Sequence, residues 1–290
     1  MENKRILVVG AGGALGLEIV RGLRAQNISV TATYRMHRPS MVKQLSALGA
    51  ELVQLDLRNE AEVKQCLVDV DGVVFIPILT ASKDAAQLLR DTQHAVFFSS
   101  NNVSIDPEND TYARLLEAEE ETRKNAPHAV ILRPTMIYGY AGDGNLSRLM
   151  KLMRKFPIIP MPGSGQALQQ PVFYKDLAQI AIRSVLCRDL NPGIYAVAGP
   201  EAISQRRLYA EIAKAAGGGR KVMSVPIKAL TFAILMLEKL GIKPPVSSAQ
   251  LDRAERNKAP SGVNVVLAPT SLPDGLKSLA EALDAVPHDT

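Results

Sequence analysis

Four glycines near the start of the chain have the type and spacing of a phosphate-binding turn. They are Gly10, Gly12, Gly13 and Gly16. Glycines leave no side chain to obstruct a ligand, so the backbone N–H groups of such a turn can approach a pyrophosphate closely. The spacing from Gly10 through Gly13 to Gly16 is three and three, whereas the usual dinucleotide fingerprint runs two and three. The turn is therefore predicted to bind a dinucleotide through the four glycines with Ala14 and Leu15, and a strand-to-helix turn without ligand is the alternative.

The residues on either side of the glycines indicate the elements that must position them. The apolar run 6–9 precedes the turn and predicts a strand. After the turn, Leu15, Ile19, Val20 and Leu23 recur at helical spacing. Strand, glycine turn and helix in this order place the positive end of the helix against a bound phosphate.

Two arginines follow the second predicted strand and indicate which dinucleotide binds. The strand covers residues 28–33 and ends at Tyr34 and Arg35, with Arg38 close behind. An acidic residue at this point would bind the ribose hydroxyl of NAD(H), whereas an arginine offers a planar cation to the 2′-phosphate of NADP(H). We therefore expect NADP(H) rather than NAD(H), and two solvated loop arginines are the alternative.

Strand and helix patterns alternate up to about residue 135. Further strands are predicted at 51–55, 72–76, 95–98 and 130–132, and helices at 40–48, 82–89 and 111–125. Ser40 is expected to cap the second helix and Asn59, with Glu62, the third. Six alternating strands predict an α/β fold, a doubly wound parallel sheet of the Rossmann type.

Ligands of such sheets lie at the carboxyl ends of the strands. The strand ends supply the other cofactor-binding candidates, with Asp56 and Leu57 expected beside an adenine. These candidates are Asp56, Leu57, Ile76, Pro77, Ser99, Pro134, Met136 and Ile137.

Several of these segments together resemble the extended short-chain dehydrogenase/reductase superfamily. The segments are 10–16, 96–100, 112–113, 131–139, 171–178 and 199–202. Within the superfamily, the chain is most similar to the atypical branch with the Rossmann-like accessory subunit of respiratory complex I and the NmrA-like proteins. The resemblance covers residues 4–240 and implies a core of residues 1–140, joined by about 170–198. It also implies a smaller substrate-binding lobe of residues 141–169 and 199–290.

The catalytic pattern of the superfamily is only partly present. Its enzymes use Tyr-x-x-x-Lys together with a Ser or Thr at the end of the fifth strand. The resemblance implies Tyr112 as proton donor, with Asn101 or Ser100 polarising the substrate oxygen. Leu116 stands where the lysine is expected, so Tyr112 could donate a proton but would be a poor base. A packed stripe of Tyr112, Leu115, Leu116 and Glu119 without catalytic role is the alternative.

The last part of the chain contains an unusually apolar segment, 227–240. Only nine residues separate Lys228 from Glu238, which is too short to span a bilayer. We expect a buried helix that roofs the substrate cleft, or else a site for an apolar substrate or partner. Gln169 and Gln170 occupy the loop where sugar-nucleotide enzymes typically use an arginine, which argues against a diphosphate-linked substrate.

Composition excludes other classes of function. The net charge is +5 and aromatic residues make up 4%, with no basic stripe typical of nucleic-acid binding. Cys66 and Cys187 are isolated and the four histidines lack metal-ligand spacing, so no metal and no disulfide is expected. The first strand begins without a preceding signal peptide, which favours a cytoplasmic protein. The oligomeric state stays open.

The sequence thus predicts an NADP(H)-dependent oxidoreductase that acts on a small organic carbonyl or enone-like substrate. Two alternatives remain. The first is a nucleotide-sugar epimerase or dehydratase. The second is a non-catalytic NAD(P)-binding redox sensor or assembly factor, which the missing lysine favours.

Overall fold

The computed structural model describes residues 4–187, 189–239, 255–260 and 262–285. The predicted ends of two helices, at residues 240 and 286, lie outside these ranges. The strands are β1 (Arg5–Val9), β2 (Ser29–Tyr34), β3 (Glu51–Gln54), β4 (Gly72–Ile78), β5 (His94–Phe98), β6 (Val130–Pro134), β7 (Ile137–Tyr138), β8 (Ile158–Pro162), β9 (Leu168–Gln169), β10 (Val172–Phe173), β11 (Gly193–Ala198), β12 (Ile203–Ser204), β13 (Lys221–Val225) and β14 (Asn264–Leu267).

The helices alternate with these strands in the first part of the chain. They are α1 (Ala14–Arg24), α2 (Pro39–Ala47), α3 (Glu60–Leu67), α4 (Leu79–Ser82), α5 (Asn102–Ile105), α6 (Asp110–Asn125), α7 (Leu146–Lys155), α8 (Tyr174–Cys187), α9 (Gln205–Ala215), α10 (Ile227–Lys239) and α11 (Leu272–Asp284). A 3₁₀ helix, Lys83–Leu88, follows α4 directly.

The central sheet has eight strands within the described residues, in the order β14-β11-β6-β5-β4-β1-β2-β3. The seven strands from β11 to β3 pair in parallel. The order reverses between β1 and β4, where a Rossmann sheet has its switch point. The predicted doubly wound parallel sheet is confirmed, and β11 and β14 extend it beyond the six predicted strands.

Alternating residues of the central strands divide the core between the two faces of the sheet. Leu7, Phe75 and Phe97 point to one face, where they pack with Val63 of α3 and Leu115 of α6. The rings of Phe75 and Phe97 stack with centroids 4.6 Å apart. On the other face α1 packs against α8. Because both faces are covered, the inner strands are apolar throughout.

The local predictions are confirmed at some helix ends and wrong at others. Asn59 accepts a hydrogen bond from the N–H of Glu62, as predicted. Ser40 is not a cap: α2 begins at Pro39 with Arg38 as N-cap, because proline suits the first helical position. The expected strand end at Pro77 is also wrong, since β4 continues to Ile78 across a register shift.

The described chain divides into two compact units. The first consists of Met1–Thr135, Tyr174–Val197 and Pro260–Ala268, and contains the central sheet. The second consists of Met136–Phe173, Ala198–Ala259 and Pro269–Thr290, and contains three two-stranded sheets with α7, α9, α10 and α11. In the second unit, the hydroxyl of Tyr138 lies 2.1 Å from where a side chain at Gly275 would begin. No helix of the described residues is long and apolar enough to cross a bilayer.

Candidate cofactor and catalytic site

The glycine turn connects β1 to α1 and is held against the ends of two neighbouring strands. Gly10 has φ +77°, which an L side chain rarely adopts, and a Cβ there would lie 2.8 Å from Cδ of Pro77. The N–H of Ala11 donates to the carbonyl of Thr33 at 2.8 Å, and that of Gly10 donates to its Oγ1 at 3.3 Å. The turn therefore has one fixed shape at the switch point of the sheet.

The N-terminus of α1 has the features of an anion site. Gly13 is its N-cap, and among the described residues no side chain caps the helix or adds an acidic group to its first turn. A Cβ at Gly13 would meet nothing within 4 Å, whereas one at Gly16 would lie 2.6 Å from Cα of Ala11. The N–H groups of Ala14, Leu15 and Gly16 begin the helix and have no carbonyl four residues back inside it. Backbone donors and the helix dipole thus face a space that a phosphate could fill.

Charged side chains lie at the ends of β2 and β3. Arg35 and Arg38 are exposed, and the carbonyl of Arg35 accepts from the side chain of Gln54 at 3.2 Å. Arg58 binds Asp56 through its Nε at 3.0 Å and through a second nitrogen at 2.5 Å. This hydrogen bonding lowers the pKa of Asp56 from 3.8 to about 2. Arg58 was not predicted, although a bond from residue i+2 back to an aspartate is a common local turn.

A buried ion pair joins α6 to the end of β6. Arg133 contacts both carboxylate oxygens of Glu119, with Nε to Oε1 at 2.8 Å, and these residues are 6% and 1% exposed. Ser99 donates to the same carboxylate at 2.5 Å, and Arg133 donates to Oγ of Ser104 at 3.0 Å. The network ties the ends of β5 and β6 to α5 and α6. Glu119 lies seven residues after Tyr112, a spacing that puts both on one side of the helix.

Tyr112 lies in the first turn of α6, where it is half-buried against the core. The side-chain amide of Asn102 donates to its hydroxyl at 2.9 Å. The N–H of Asn102 in turn donates to Oγ of Ser100 at 3.2 Å. Leu115 is buried, and Leu116 is partly buried. The structure thus brings together Tyr112 and Ser100 through Asn102, a residue that sequence reasoning missed because the contact depends on how α5 meets α6.

The remaining candidates lie at the expected strand ends. Asn101 is 2% exposed and its N–H donates to the carbonyl of Pro134 at 3.1 Å, which joins the ends of β5 and β6. Leu57 packs against the core, and Ile76 is half-buried in β4.

Met136 and Ile137 belong to the second unit. The carbonyl of Met136 accepts from Val172 at 3.0 Å, and Ile137 pairs with Val172 between β7 and β10. Among the residues described, no group of three or more His, Cys, Asp or Glu could hold a metal ion.

The switch-point turn, the parallel strand order and the polar strand ends define an α/β protein with a doubly wound sheet of the Rossmann type. Over residues 2–96, the chain matches the family model described as the NmrA-like family. The resemblance predicted from the sequence is thereby confirmed for the fold and for the first third of the chain.

Full-length relatives have low sequence identity. The chain is 26% identical over 273 residues to a (4-alkanoyl-5-oxo-2,5-dihydrofuran-3-yl)methyl phosphate reductase of Streptomyces griseus, with 90% of each chain covered. It is 22% identical over 235 residues to the NAD(P)H azoreductase of Xenophilus azovorans, which covers 77% of this chain and 78% of the relative. The fold is similar to that of Thermus thermophilus UDP-glucose 4-epimerase in complex with NAD, with TM-score 0.65 and 16% identity over 98% of this chain and all of the other.

Proposed function

We propose that this protein is an NADP(H)-dependent oxidoreductase that acts on a small organic carbonyl or enone-like substrate. The observation that carries the proposal is the β1-α1 turn. It combines a left-handed Gly10 packed on Pro77 with an uncapped helix N-terminus that has no acidic residue in its first turn. These features suit a dinucleotide pyrophosphate, and a turn with only a structural role would gain stability from a capping side chain.

The residues of the first unit offer a place for each anionic part of the cofactor. The N–H groups at the start of α1 would bind the pyrophosphate. Arg35, with Arg38, would bind the 2′-phosphate, while Arg58 is engaged by Asp56. Asp56 and Leu57 would border the adenine. Bound there, the nicotinamide supplies or accepts hydride.

Tyr112 would donate a proton to the substrate oxygen as hydride reaches the carbon. Its hydroxyl accepts a hydrogen bond from Asn102, which fixes the position of the phenol oxygen beside the end of β5. Asn101 or Ser100 would polarise the substrate oxygen. Because no lysine follows at position 116, reduction is favoured over oxidation in this scheme. Two of the relatives, the phosphate reductase of Streptomyces griseus and the azoreductase of Xenophilus azovorans, are named as reductases, which supports the same direction.

Cofactor titration tests the first part of the proposal. We expect Arg35→Ala to weaken NADPH binding about 10- to 100-fold, since a charge-assisted hydrogen bond contributes about 1.5–3 kcal/mol. NADH binding should stay the same. Arg123→Ala, an exposed arginine near the end of α6, is the matched control and should change neither affinity. Equal affinities of the unaltered protein for both nucleotides would refute the assignment of NADP(H).

One observation favours a second candidate, a non-catalytic NAD(P)-binding sensor or assembly factor. Leu116 replaces the lysine that superfamily enzymes place beside their tyrosine. Following NADPH absorbance across a panel of carbonyls and enones separates the two functions. Turnover that Tyr112→Phe lowers at least tenfold would support the enzyme. NADPH binding without turnover on any substrate would support the sensor, and full turnover in the variant would remove Tyr112 as proton donor.

The epimerase or dehydratase alternative makes a different prediction. Such an enzyme would retain its nucleotide through purification and bind a nucleotide sugar in the second unit. There Gln170 is 8% exposed and its side-chain amide donates to the carbonyl of Gly199 at 2.7 Å. Because the side-chain amide of Gln170 already donates a hydrogen bond within the fold, we do not expect it to bind a diphosphate.

A further inference from the structure

Helix α10 has exposed apolar side chains among its described residues. The prediction of a buried helix is wrong for the described side chains. Phe232, Leu235 and Met236 are 63%, 44% and 37% exposed, and Ile234 is the one buried side chain of residues 227–236. Exposed apolar residues at this density on one helix mark an interaction surface more often than an ordinary solvated face.

The strand pair that precedes α10 also has exposed apolar side chains. β13 ends at Val225, two residues before α10 begins, and it pairs in parallel with β8. Ile158 and Met223 are 51% and 52% exposed, and Phe156 just before β8 is 46% exposed. We call Phe156, Ile158, Met223, Phe232, Leu235 and Met236 the exposed apolar surface. It belongs entirely to the second unit.

The segments that carry the exposed apolar surface are rich in basic residues. Glu255 lies beside Ile227 and Lys228 and accepts a hydrogen bond from the N–H of Ser164 at 3.4 Å. The stretches 146–155 and 212–237 carry four basic residues each and no acidic residue. They adjoin in space, because Arg220 donates to the carbonyl of Met153 at 2.8 Å and the N–H of Lys221 donates to that of Pro157 at 2.8 Å. The exposed cations among them are Arg148, Lys151, Lys155, Lys214, Lys221 and Lys228.

We propose that this surface docks the protein on an anionic lipid membrane, with α10 lying in the plane of the interface. Apolar side chains bordered by lysines are what binds such an interface, because the side chains enter the acyl boundary while the cations meet the lipid phosphates. Thirteen residues of helix extend roughly 20 Å, which suits an in-plane position and is short of a membrane span.

A membrane fits these observations better than an acidic protein does. The apolar side chains come from a helix and from the strand pair before it, and they alternate with cations. Lys221 pairs with Ile158 across β8 and β13, and Lys155 lies 5.6 Å from the ring centre of Phe156. A fluid array of lipid headgroups can neutralise cations spread in this way, whereas a folded partner needs carboxylates at matching positions.

Vesicle co-sedimentation of the full chain tests the proposal. Vesicles of phosphatidylcholine alone are compared with vesicles containing 30% phosphatidylglycerol, at roughly 0.1 M and 0.5 M salt. We expect at least about tenfold stronger binding to the anionic vesicles, with most of it lost at high salt. Phe232→Ser with Leu235→Ser should abolish binding. Lys221→Glu with Lys228→Glu should weaken it more than 25-fold, from on the order of fivefold per lysine removed.

Matched changes on the first unit provide the control. Val68→Ser removes an equally exposed apolar side chain and Lys124→Glu reverses an exposed cation. Both should leave vesicle binding unchanged, and circular dichroism should show that every variant is folded. No binding by the unaltered protein would overturn the proposal, as would equal binding to neutral vesicles. Binding to soluble polyglutamate without binding to anionic vesicles would also overturn it and indicate an acidic protein instead.

Discussion

The buried pair of Glu119 and Arg133 gives the sharpest test of how this fold is held together. The perturbation is Glu119→Gln, which keeps the shape of the side chain and removes its charge. The carboxylate accepts from Arg133 Nε at 2.8 Å and from Ser99 at 2.5 Å, and it contacts a second nitrogen of Arg133. An amide has one acceptor oxygen, and its NH₂ group would face the guanidinium donors.

The expected loss of stability follows from these contacts. At least one charge-assisted hydrogen bond disappears, and Arg133, which is 6% exposed, keeps a charge without a carboxylate. Breaking a buried pair in this way costs about 3–5 kcal/mol, a large part of the 5–15 kcal/mol that stabilises a typical domain. The thermal midpoint should fall by on the order of 10 °C.

Denaturant unfolding, followed by circular dichroism, measures this loss. Glu120→Gln is the control, since this neighbour on α6 is exposed and should change stability by less than about 0.5 kcal/mol. Adding Arg133→Met to Glu119→Gln should recover part of the loss, because the unpaired charge is removed. A Glu119→Gln protein as stable as the unaltered one would show that the pair does not hold α6 to the sheet.

Three further predictions concern local structure. Gly16→Ala should lower stability by about 1–3 kcal/mol in thermal unfolding and weaken nucleotide binding, because the new Cβ would overlap the backbone of Ala11. Gly22→Ala is the control: its Cβ would meet only the ends of side chains, so its stability should be nearly unchanged. Asn59→Ala should lower the free energy of unfolding by about 1 kcal/mol in a denaturant titration, because the helix loses its cap. An unchanged stability would contradict the hydrogen bond from the N–H of Glu62 to Asn59. Hydrogen bonding lowers the pKa of Asp56 to about 2 in the folded protein, so the ionised side chain stabilises the fold fully at pH values above its unfolded pKa of 3.8. This contribution is lost as the pH falls through 2. A carbon NMR titration of Asp56 with a midpoint near 4 would refute the prediction.

The recognisable fold follows from short-range features of the sequence. Alternating apolar runs and helical patterns predicted the strands β1 to β6 and a doubly wound parallel sheet, because a buried parallel strand must be apolar on both faces. The glycine turn was also evident, because the left-handed backbone of Gly10 and the close approach of Gly16 to Ala11 both require residues without a side chain. Asn59 caps its helix where the sequence predicts a cap, since a cap bonds only two or three residues away.

Local patterns failed where neighbouring elements compete. Ser40 has the residue type of an N-cap, yet Pro39 starts α2 one residue earlier, and Pro77 does not end β4 because the strand continues beside β5. In both cases the preference of one residue is worth about 1 kcal/mol or less, and the surrounding chain outweighs it.

Taken alone, the sequence determined the class of fold, the glycine turn after the first strand and the strand ends that carry polar residues. Tertiary structure decided the rest. It paired Glu119 with Arg133, brought Asn102 to Tyr112, and left Phe232 exposed where an apolar segment predicts burial. The physical reason is that propensity and periodicity act over one or two turns of chain, whereas these contacts depend on how separate elements pack. Whether the apolar face of a helix is covered depends on the elements that pack around it, so the sequence pattern of the helix alone does not predict it.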